Sequence, residues 1–337
     1  MGGVSPVRVG INGFGRIGRV LMRAGWDRLN IVGINDLGGP EGSAHLLKYD
    51  SNYGRWDKEV KAEGQSLVIN GQKIPVSSTR NPAEIPWKDW GVDVVLECTG
   101  AFKDKEQFML HIQGGAKKFL VSAPAAGADV TLVYGVNHKD YKPSEHQVIS
   151  NASCTTNCLA PVAKVLHSEF GIEYGMMTTI HSYTNDQQVL DAPHKDLRRA
   201  RAAALSMIPT TTGAAKAVGL VLPELKGKID GIAVRVPTPT VSLVDLVFQT
   251  KKEISKASIN EALIKASQGS LKGVLACEAE PLVSVDFKGH PASSIVDLDS
   301  SMAMGSHLGK VFSWYDNEMG FCHRMLDMAE YLSEQGL

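Results

Sequence analysis

Over the first 150 residues, short apolar runs alternate with amphipathic stretches. Residues 7–11 (VRVGI) read as a short buried strand and residues 31–34 (IVGI) as a second. The segment between them, from about residue 16 to 24, has helical spacing. The three together make a βαβ unit, which predicts parallel strands. Residues 92–96 and 118–122 are two more apolar runs of strand length. Residues 50–79 alternate and are rich in turn formers, which predicts a small antiparallel excursion. The texture changes near residue 150. A polar stretch over 150–158 leads into residues 159–170, where Leu159, Val162, Ala163, Leu166 and Phe170 recur at helical spacing. Longer strands are expected at 174–181, 229–236 and 242–250, the last mixing polar and apolar residues as a sheet with one covered face does. Residues 318–337 have a helical pattern. The fold class is therefore α/β, with two domains and a boundary near Ala152.

A length of 337 residues suits two domains of ordinary size. With 35 basic and 36 acidic side chains, the net charge of −1 gives no field to attract nucleic acid or anionic lipid. Nucleic acid is not expected as a primary partner. Basic residues gather locally at Lys195, Arg198, Arg199 and Arg201, and a run that short reads first as a solvated face. The five cysteines, Cys98, Cys154, Cys158, Cys277 and Cys322, are odd in number and sparse, which makes a poor disulfide framework. The N-terminal residues show no secretory pattern and no apolar run is long enough for a bilayer, so the expectation is a cytoplasmic protein with no membrane partner.

Two places carry chemistry. Gly13, Gly15 and Gly18 form G-x-G-x-x-G between a strand and a helix, and a second strand ends in Asp36. That context is the Rossmann dinucleotide fingerprint. Glycines let the backbone approach a pyrophosphate, and the helix start at Arg16 and Ile17 offers free N–H groups to it. Asp36 suits ribose hydroxyls and repels a 2′-phosphate, which favours NAD over NADP. Cys154 lies in a polar segment ahead of a predicted helix, where a helix N-terminus lowers a thiol pKa. Its polar neighbours argue against a buried packing role, whereas Cys158, one turn further, reads as structural. His181 ends a predicted strand; such a histidine is either a packed residue or a base. The Cys/His spacing matches no tight zinc pattern, so no metal is expected.

The stretch Ser150-Asn151-Ala152-Ser153-Cys154-Thr155-Thr156-Asn157-Cys158-Leu159-Ala160-Pro161 resembles the active-site signature of the glyceraldehyde-3-phosphate dehydrogenase family. Residues 10–19, 212–216, 235–238 and 314–318 are similar to that family in the same order along the chain. The resemblance implies an N-terminal Rossmann domain over 1–152 with a doubly wound parallel sheet, completed by the C-terminal helix 318–337. It implies an α+β catalytic domain over 153–317 with a mainly antiparallel or mixed sheet. The implied reaction is phosphorylating oxidation of glyceraldehyde 3-phosphate to 1,3-bisphosphoglycerate with NAD, in glycolysis or gluconeogenesis. Cys154 would attack the aldehyde to give a thiohemiacetal, His181 would act as base, and a thioester would pass to inorganic phosphate. By the same resemblance the cofactor contacts are Arg16, Ile17, Asp36, Arg80, Thr99, Ser122 and Asn317, beside the three glycines. Thr184 and Arg235 would bind the substrate phosphate. Ser153, Thr155, Thr212 and Gly213 would bind inorganic phosphate, with Arg199 nearby, which moves Arg199 from a solvated to a functional reading. A homotetramer is the implied assembly. Leu37 and Pro193 look like the NAD-using type, while Gly38, Gly39 and Ala192 leave NADP use open. Two alternatives stand beside this reading: erythrose-4-phosphate dehydrogenase, and a non-catalytic role in binding RNA or a partner.

Overall fold

The computed structural model describes residues 6–102 and 104–337, and the chain divides into two compact units. The first takes the residues up to Leu132, His138–Ala152 and Cys322–Leu337. Its strands are β1 (Arg8–Asn12), β2 (Asn30–Asn35), the short pair β3 (Tyr49–Asp50) and β4 (Gly54–Arg55), β5 (Val60–Ala62), β6 (Ser66–Ile69), β7 (Gln72–Ser77), β8 (Val94–Glu97), β9 (Lys118–Val121), β10 (Val130–Thr131) and β11 (Val148–Ser150). Its helices include α1 (Arg16–Gly25), α2 (Gly39–Lys48) and α3 (Lys105–Gln113). The main sheet has the order β10-β11-β9-β8-β1-β2-β7-β6-β5 and is parallel from β10 through β7. The antiparallel excursion expected over residues 50–79 exists as β5-β6-β7, yet it does not stand apart. Ile34 pairs with Val76, both buried, so β7 joins β2 in parallel and extends the main sheet. Helix α2 had no clear periodic signal, because its sequence GPEGSAHLLK carries two glycines and a proline; Pro40 sits in the first turn, where its missing N–H costs nothing.

The second unit, Val133–Asn137 with Ser153–Phe321, is built on a mixed seven-stranded sheet. Its elements are α4 (Cys154–Phe170), β12 (Ile172–Ser182), β13 (Ile208–Thr211), α5 (Ala214–Val221), β14 (Ile229–Val236), β15 (Ser242–Thr250), α6 (Lys256–Gln268), β16 (Leu275–Glu278), β17 (Ser294–Met304) and β18 (Leu308–Tyr315). The order is β13-β14-β12-β15-β18-β17-β16, with β14/β12 and β17/β16 parallel and the remaining pairs antiparallel. Alternation along β12 decides which side chains face inward. Gly175, Met177, Thr179 and His181 are buried, while Tyr174 and Met176 on the other face are exposed.

Helix α4 starts at Cys154, five residues before the apolar periodicity does. Ser153 caps it: its Oγ accepts from the Thr156 N–H at 3.0 Å. The polar residues Thr155, Thr156 and Asn157 that follow Cys154 are buried, so polar neighbours do not mark an exposed segment here. Thr155 Oγ1 meets Tyr315 Oη at 2.8 Å and Thr156 Oγ1 donates to the Ala214 carbonyl at 3.3 Å, so burial leaves neither hydroxyl unpaired.

The last helix, α7 (Met319–Glu334), joins the first unit from Cys322 onward. Arg28, just past α1, donates to Asp327 at 2.7 Å and Glu330 at 2.6 Å. Gly25 lies under Leu326, and a Cβ there would come within 2.7 Å of its Cδ2.

Candidate active site

The parallel pairing of β12 with β14 puts Arg235 opposite His181. Antiparallel β15 and β18 bring Ser242 and Tyr315 to the same end of the sheet, and the first turn of α4 supplies Cys154. Cys154 Sγ lies 3.5 Å from His181 Nε2. The tautomer follows from the other ring nitrogen. Nδ1 is 2.6 Å from the Ser182 carbonyl oxygen, which only accepts, so Nδ1 carries the proton and Nε2 is left as an acceptor facing the thiol. Arg235 Nη1 donates to that same carbonyl at 3.0 Å, and its 2.9 Å approach to Nδ1 is a close passage of two N–H groups. Beneath the pair, the buried Tyr315 hydroxyl joins Thr155 Oγ1 and Thr179 Oγ1, each at 2.8 Å, and its ring stands edge-on to His181. Two backbone outliers flank this cluster. Ala152 has φ +56° two residues before the thiol, and the β-branched Val241 has φ +68° while its carbonyl accepts from Ser182 Oγ at 2.7 Å.

The electrostatics differ from the sequence-based expectation. Burial pushes the Cys154 thiol above its ordinary value, opposed by the Arg235 charge and by hydrogen bonds from Thr155 and the backbone at the helix start. Burial, then the Arg235 charge, pushes His181 down to about 3. The helix terminus acts in the expected direction, but burial outweighs it. Either charge alone is disfavoured here. Proton transfer from Sγ to Nε2 makes both charges together without changing the net charge of the site, so thiolate and imidazolium arise as a pair. Replacing His181 by Asn removes the proton acceptor, and the thiolate must then form alone against burial. The pH midpoint for alkylation of Cys154 by iodoacetamide is expected to rise in that variant. An unchanged midpoint would mean that the helix start and Arg235 set the thiol by themselves.

In the first unit, a cleft of about 350 Å³ is lined by Gly13, Gly15, Asn35, Asp36, Leu37, Gly38, Cys98 and Thr99. Gly13 has φ +88°, and a Cβ on Gly18 would stand 2.2 Å from the Gly13 carbonyl, so both positions require glycine. A Cβ on Gly15 would meet nothing within 4 Å, which leaves open space at the start of α1 for a phosphate. Asp36 accepts the Phe14 N–H at 2.7 Å and the Gly38 N–H at 2.8 Å, which fixes its carboxylate at the cleft. Tight glycine turn, open helix start and fixed acid fit a dinucleotide.

The other expected residues are placed unevenly. Thr99 and Ile17 lie at the cleft and at the start of α1, and Arg16 pairs with Asp50. Arg80 is exposed just past β7, and the Ser122 N–H donates to the Glu97 carbonyl. Asn317 is buried in the second unit, its Oδ1 accepting from Ser242 Oγ at 3.0 Å. Ser153 and Thr155 flank Cys154, but the Thr155 hydroxyl is taken up by Tyr315. Thr212 Oγ1 accepts from the Ala214 N–H at 3.1 Å, and Gly213, the cap of α5, faces open space. The Thr184 carbonyl accepts from the Gln187 N–H at 2.9 Å. Arg199 donates from Nε to Thr210 at 3.0 Å and pairs with Asp186, so one of the four clustered basic residues is held in place while Arg201 pairs with Asp191 at the surface. Tyr315, Ser182 and Thr179 escaped the sequence reading. Inward alternation toward Thr179 and His181 was the one local signal for any of them. Among the described residues no group of three or more His, Cys, Asp or Glu side chains is placed to hold a metal ion.

Two family descriptions match the chain: glyceraldehyde 3-phosphate dehydrogenase, NAD binding domain, over residues 7–105, and glyceraldehyde 3-phosphate dehydrogenase, C-terminal domain, over residues 153–317. The chain is 57% identical over 333 residues to a glyceraldehyde-3-phosphate dehydrogenase of Geobacillus stearothermophilus, covering 98% of this chain and 99% of that one. It is 56% identical over 332 residues to glyceraldehyde-3-phosphate dehydrogenase 1 of Bacillus cereus, with the same coverage. Against glyceraldehyde-3-phosphate dehydrogenase 2 of Streptomyces avermitilis the identity is 53% over 332 residues, again with 98% and 99% covered.

Proposed function

Because the chain belongs to the glyceraldehyde-3-phosphate dehydrogenase family, an NAD-dependent oxidoreductase family of glycolysis, we propose that Cys154 and His181 carry out the phosphorylating oxidation of glyceraldehyde 3-phosphate. The observation that carries this assignment is the Nε2 lone pair of His181 aimed at the Cys154 sulfur, with Nδ1 fixed on the Ser182 carbonyl. As Sγ adds to the aldehyde carbon, His181 takes the thiol proton and hands it to the developing alkoxide; neutral again, it removes that hydroxyl proton as the hydride leaves. NAD, when bound, accepts the hydride that leaves this carbon. Cys154 is left acylated as a thioester, which keeps the oxidation energy available to inorganic phosphate. Attack by phosphate oxygen on the thioester carbon expels the thiolate, which Arg235 and the start of α4 stabilise, and releases the acyl phosphate.

Arg235 is partly buried, and its Nη1 is held by the Ser182 carbonyl; its guanidinium is the charge we set against the substrate phosphate, with Thr184 as a second contact for that group. Ser153, Thr212, Gly213 and Arg199 serve inorganic phosphate: Gly213 offers an open helix start and Arg199 a held guanidinium. Thr155 contributes its backbone and its hold on Tyr315. Gly13, Gly15, Arg16, Ile17, Gly18, Asp36, Arg80, Thr99, Ser122 and Asn317 are the residues we assign to NAD. The Asp36 carboxylate disfavours the 2′-phosphate of NADP.

The assembly that fits is a homotetramer. The outer face of the seven-stranded sheet leaves Tyr174, Met176, Ile232, Met302, Met304 and Leu308 exposed, an apolar surface suited to another copy. Five cysteines without a disulfide suit a reducing cytoplasm, and no helix among the described residues is long and apolar enough to cross a membrane.

The test follows reduced cofactor during turnover of glyceraldehyde 3-phosphate, with and without inorganic phosphate. Steady-state NAD reduction that requires phosphate is expected, with NADP at least about tenfold slower. Reduction indifferent to phosphate would overturn the phosphorylating assignment and favour release of a free acid, as from an erythrose 4-phosphate enzyme.

A further inference from the structure

A carboxylate with only neutral partners lies under the cofactor cleft. Glu97 ends β8 and is 1% exposed. Asn12 Nδ2 donates to its Oε2 at 2.5 Å, and the Thr99 N–H donates to its Oε1 at 2.7 Å. The Thr99 hydroxyl and the Gly100 N–H add two more donors. Burial pushes this carboxyl up against all of those bonds, so keeping it here is costly.

Its value lies in direction. A carboxylate only accepts, so Asn12 must turn its amide nitrogen toward Glu97 and its oxygen the other way. That oxygen accepts from Asn35 Nδ2 at 2.8 Å. Asn35 Oδ1 is thereby left to accept from Ser77 Oγ at 2.8 Å and from the Thr79 N–H at 2.9 Å. One acceptor thus orders a row of amides across the ends of β8, β1, β2 and β7. The same residues carry the cleft: the Asn35 carbonyl accepts the Gly13 N–H at 2.8 Å, and the Asn12 carbonyl accepts the Cys98 N–H at 2.7 Å. Thr99, tethered by Glu97, packs so closely on Gly13 that a Cβ there would stand 2.7 Å from its methyl group.

We propose that Glu97 is a positioning residue for NAD: through Asn12 and Asn35 on one side and Thr99 on the other, it sets the two loops that border the cleft before the cofactor arrives. The proposal rests on the reading of that cleft as the NAD site. Glu97 touches no reacting group, so its effect belongs to cofactor affinity alone. In Glu97→Gln the side chain has the same shape but brings a donor to face Asn12 Nδ2, and the row loses its fixed direction. Adding Asn12→Asp moves the carboxylate one place along. The new amide at position 97 then donates to the new carboxylate at position 12, which still accepts from Asn35, and the order returns.

The experiment measures NAD binding by titration calorimetry, with steady-state kinetics, on the full chain, on Glu97→Gln and on Glu97→Gln/Asn12→Asp. The single variant is expected to raise both Kd and KM for NAD by roughly tenfold, about the effect of one mispaired buried donor. Its kcat at saturating NAD and its KM for the triose phosphate stay within about twofold, and the double variant recovers most of the lost affinity. A single variant that binds NAD as the unsubstituted chain does would overturn the proposal, and so would a loss confined to kcat. If the single variant does not fold, the double variant decides: affinity near that of the unsubstituted chain supports the proposal, and affinity still about tenfold weaker refutes it. An unsubstituted chain that binds no NAD would instead refute the cleft assignment.

Discussion

Cys154→Ser is expected to abolish phosphate-dependent NAD reduction, by roughly 10,000-fold or more in kcat, while the protein stays folded and binds NAD. The exchange replaces one sulfur with one oxygen, so the packing of the first turn of α4 and the cap from Ser153 remain. What changes is acidity and nucleophilicity. A serine hydroxyl loses its proton far less readily than a thiol, and His181, pushed down to about 3 by burial and Arg235, is too weak a base to remove it unaided. A seryl ester would also be a poorer acyl donor to phosphate than a thioester. Melting temperature and NAD affinity are measured beside kcat. Activity within about tenfold of the unsubstituted chain would remove Cys154 from the mechanism.

Arg235→Leu is expected to lower kcat/KM for glyceraldehyde 3-phosphate by roughly 1,000-fold, because one guanidinium has two duties. In the role proposed for it, as a charge facing the substrate phosphate, it would contribute about 1.5–3 kcal/mol of charge-assisted hydrogen bonding. As a charge beside the catalytic pair it lowers the thiol pKa and depresses that of His181. Its removal lets both rise, so the pH midpoint for thiolate formation moves to higher pH. Arg235→Lys keeps the charge but not the fork that reaches the Ser182 carbonyl, and should recover only part of the loss. Comparing the triose phosphate with glyceraldehyde separates the two duties. The unsubstituted enzyme is expected to prefer the phosphorylated aldehyde strongly, and the variant should lose most of that preference. Equal losses on both aldehydes would confine Arg235 to the pair.

Much of this was legible before any coordinates, and the reasons differ by element. The βαβ unit and its glycine turn are local: strand, G-x-G-x-x-G, helix and Asp36 lie within about 30 residues, the usual compass of such a unit. Cys154 and His181 stood out through resemblance, since nothing local says that a thiol and an imidazole 27 positions apart will meet. Arg235 beside His181 is a matter of sheet register between β12 and β14, and Tyr315 beneath them depends on a strand 136 positions beyond Thr179. Such contacts leave no periodic trace. The thiol's acidity was misjudged for the same reason: the polar residues beside it look solvated in sequence, and only packing buries them. Glu97 was invisible because a single acid at the end of an apolar run reads as its exposed edge.

The division of the chain has a consequence for the order in which it is made. The first unit begins at the start of the chain and ends with its last sixteen residues, whereas the second is continuous from Ser153 to Phe321 apart from Val133–Asn137. On the ribosome, α1 and the strands beside it emerge long before Leu326, Asp327 and Glu330 exist to cover Gly25 and pair with Arg28. The nucleotide-binding unit, begun before its neighbour, is therefore completed after it. Loss of the residues from Cys322 onward would be felt far away in sequence, exposing the apolar underside of the first helix rather than the strands that precede the cut.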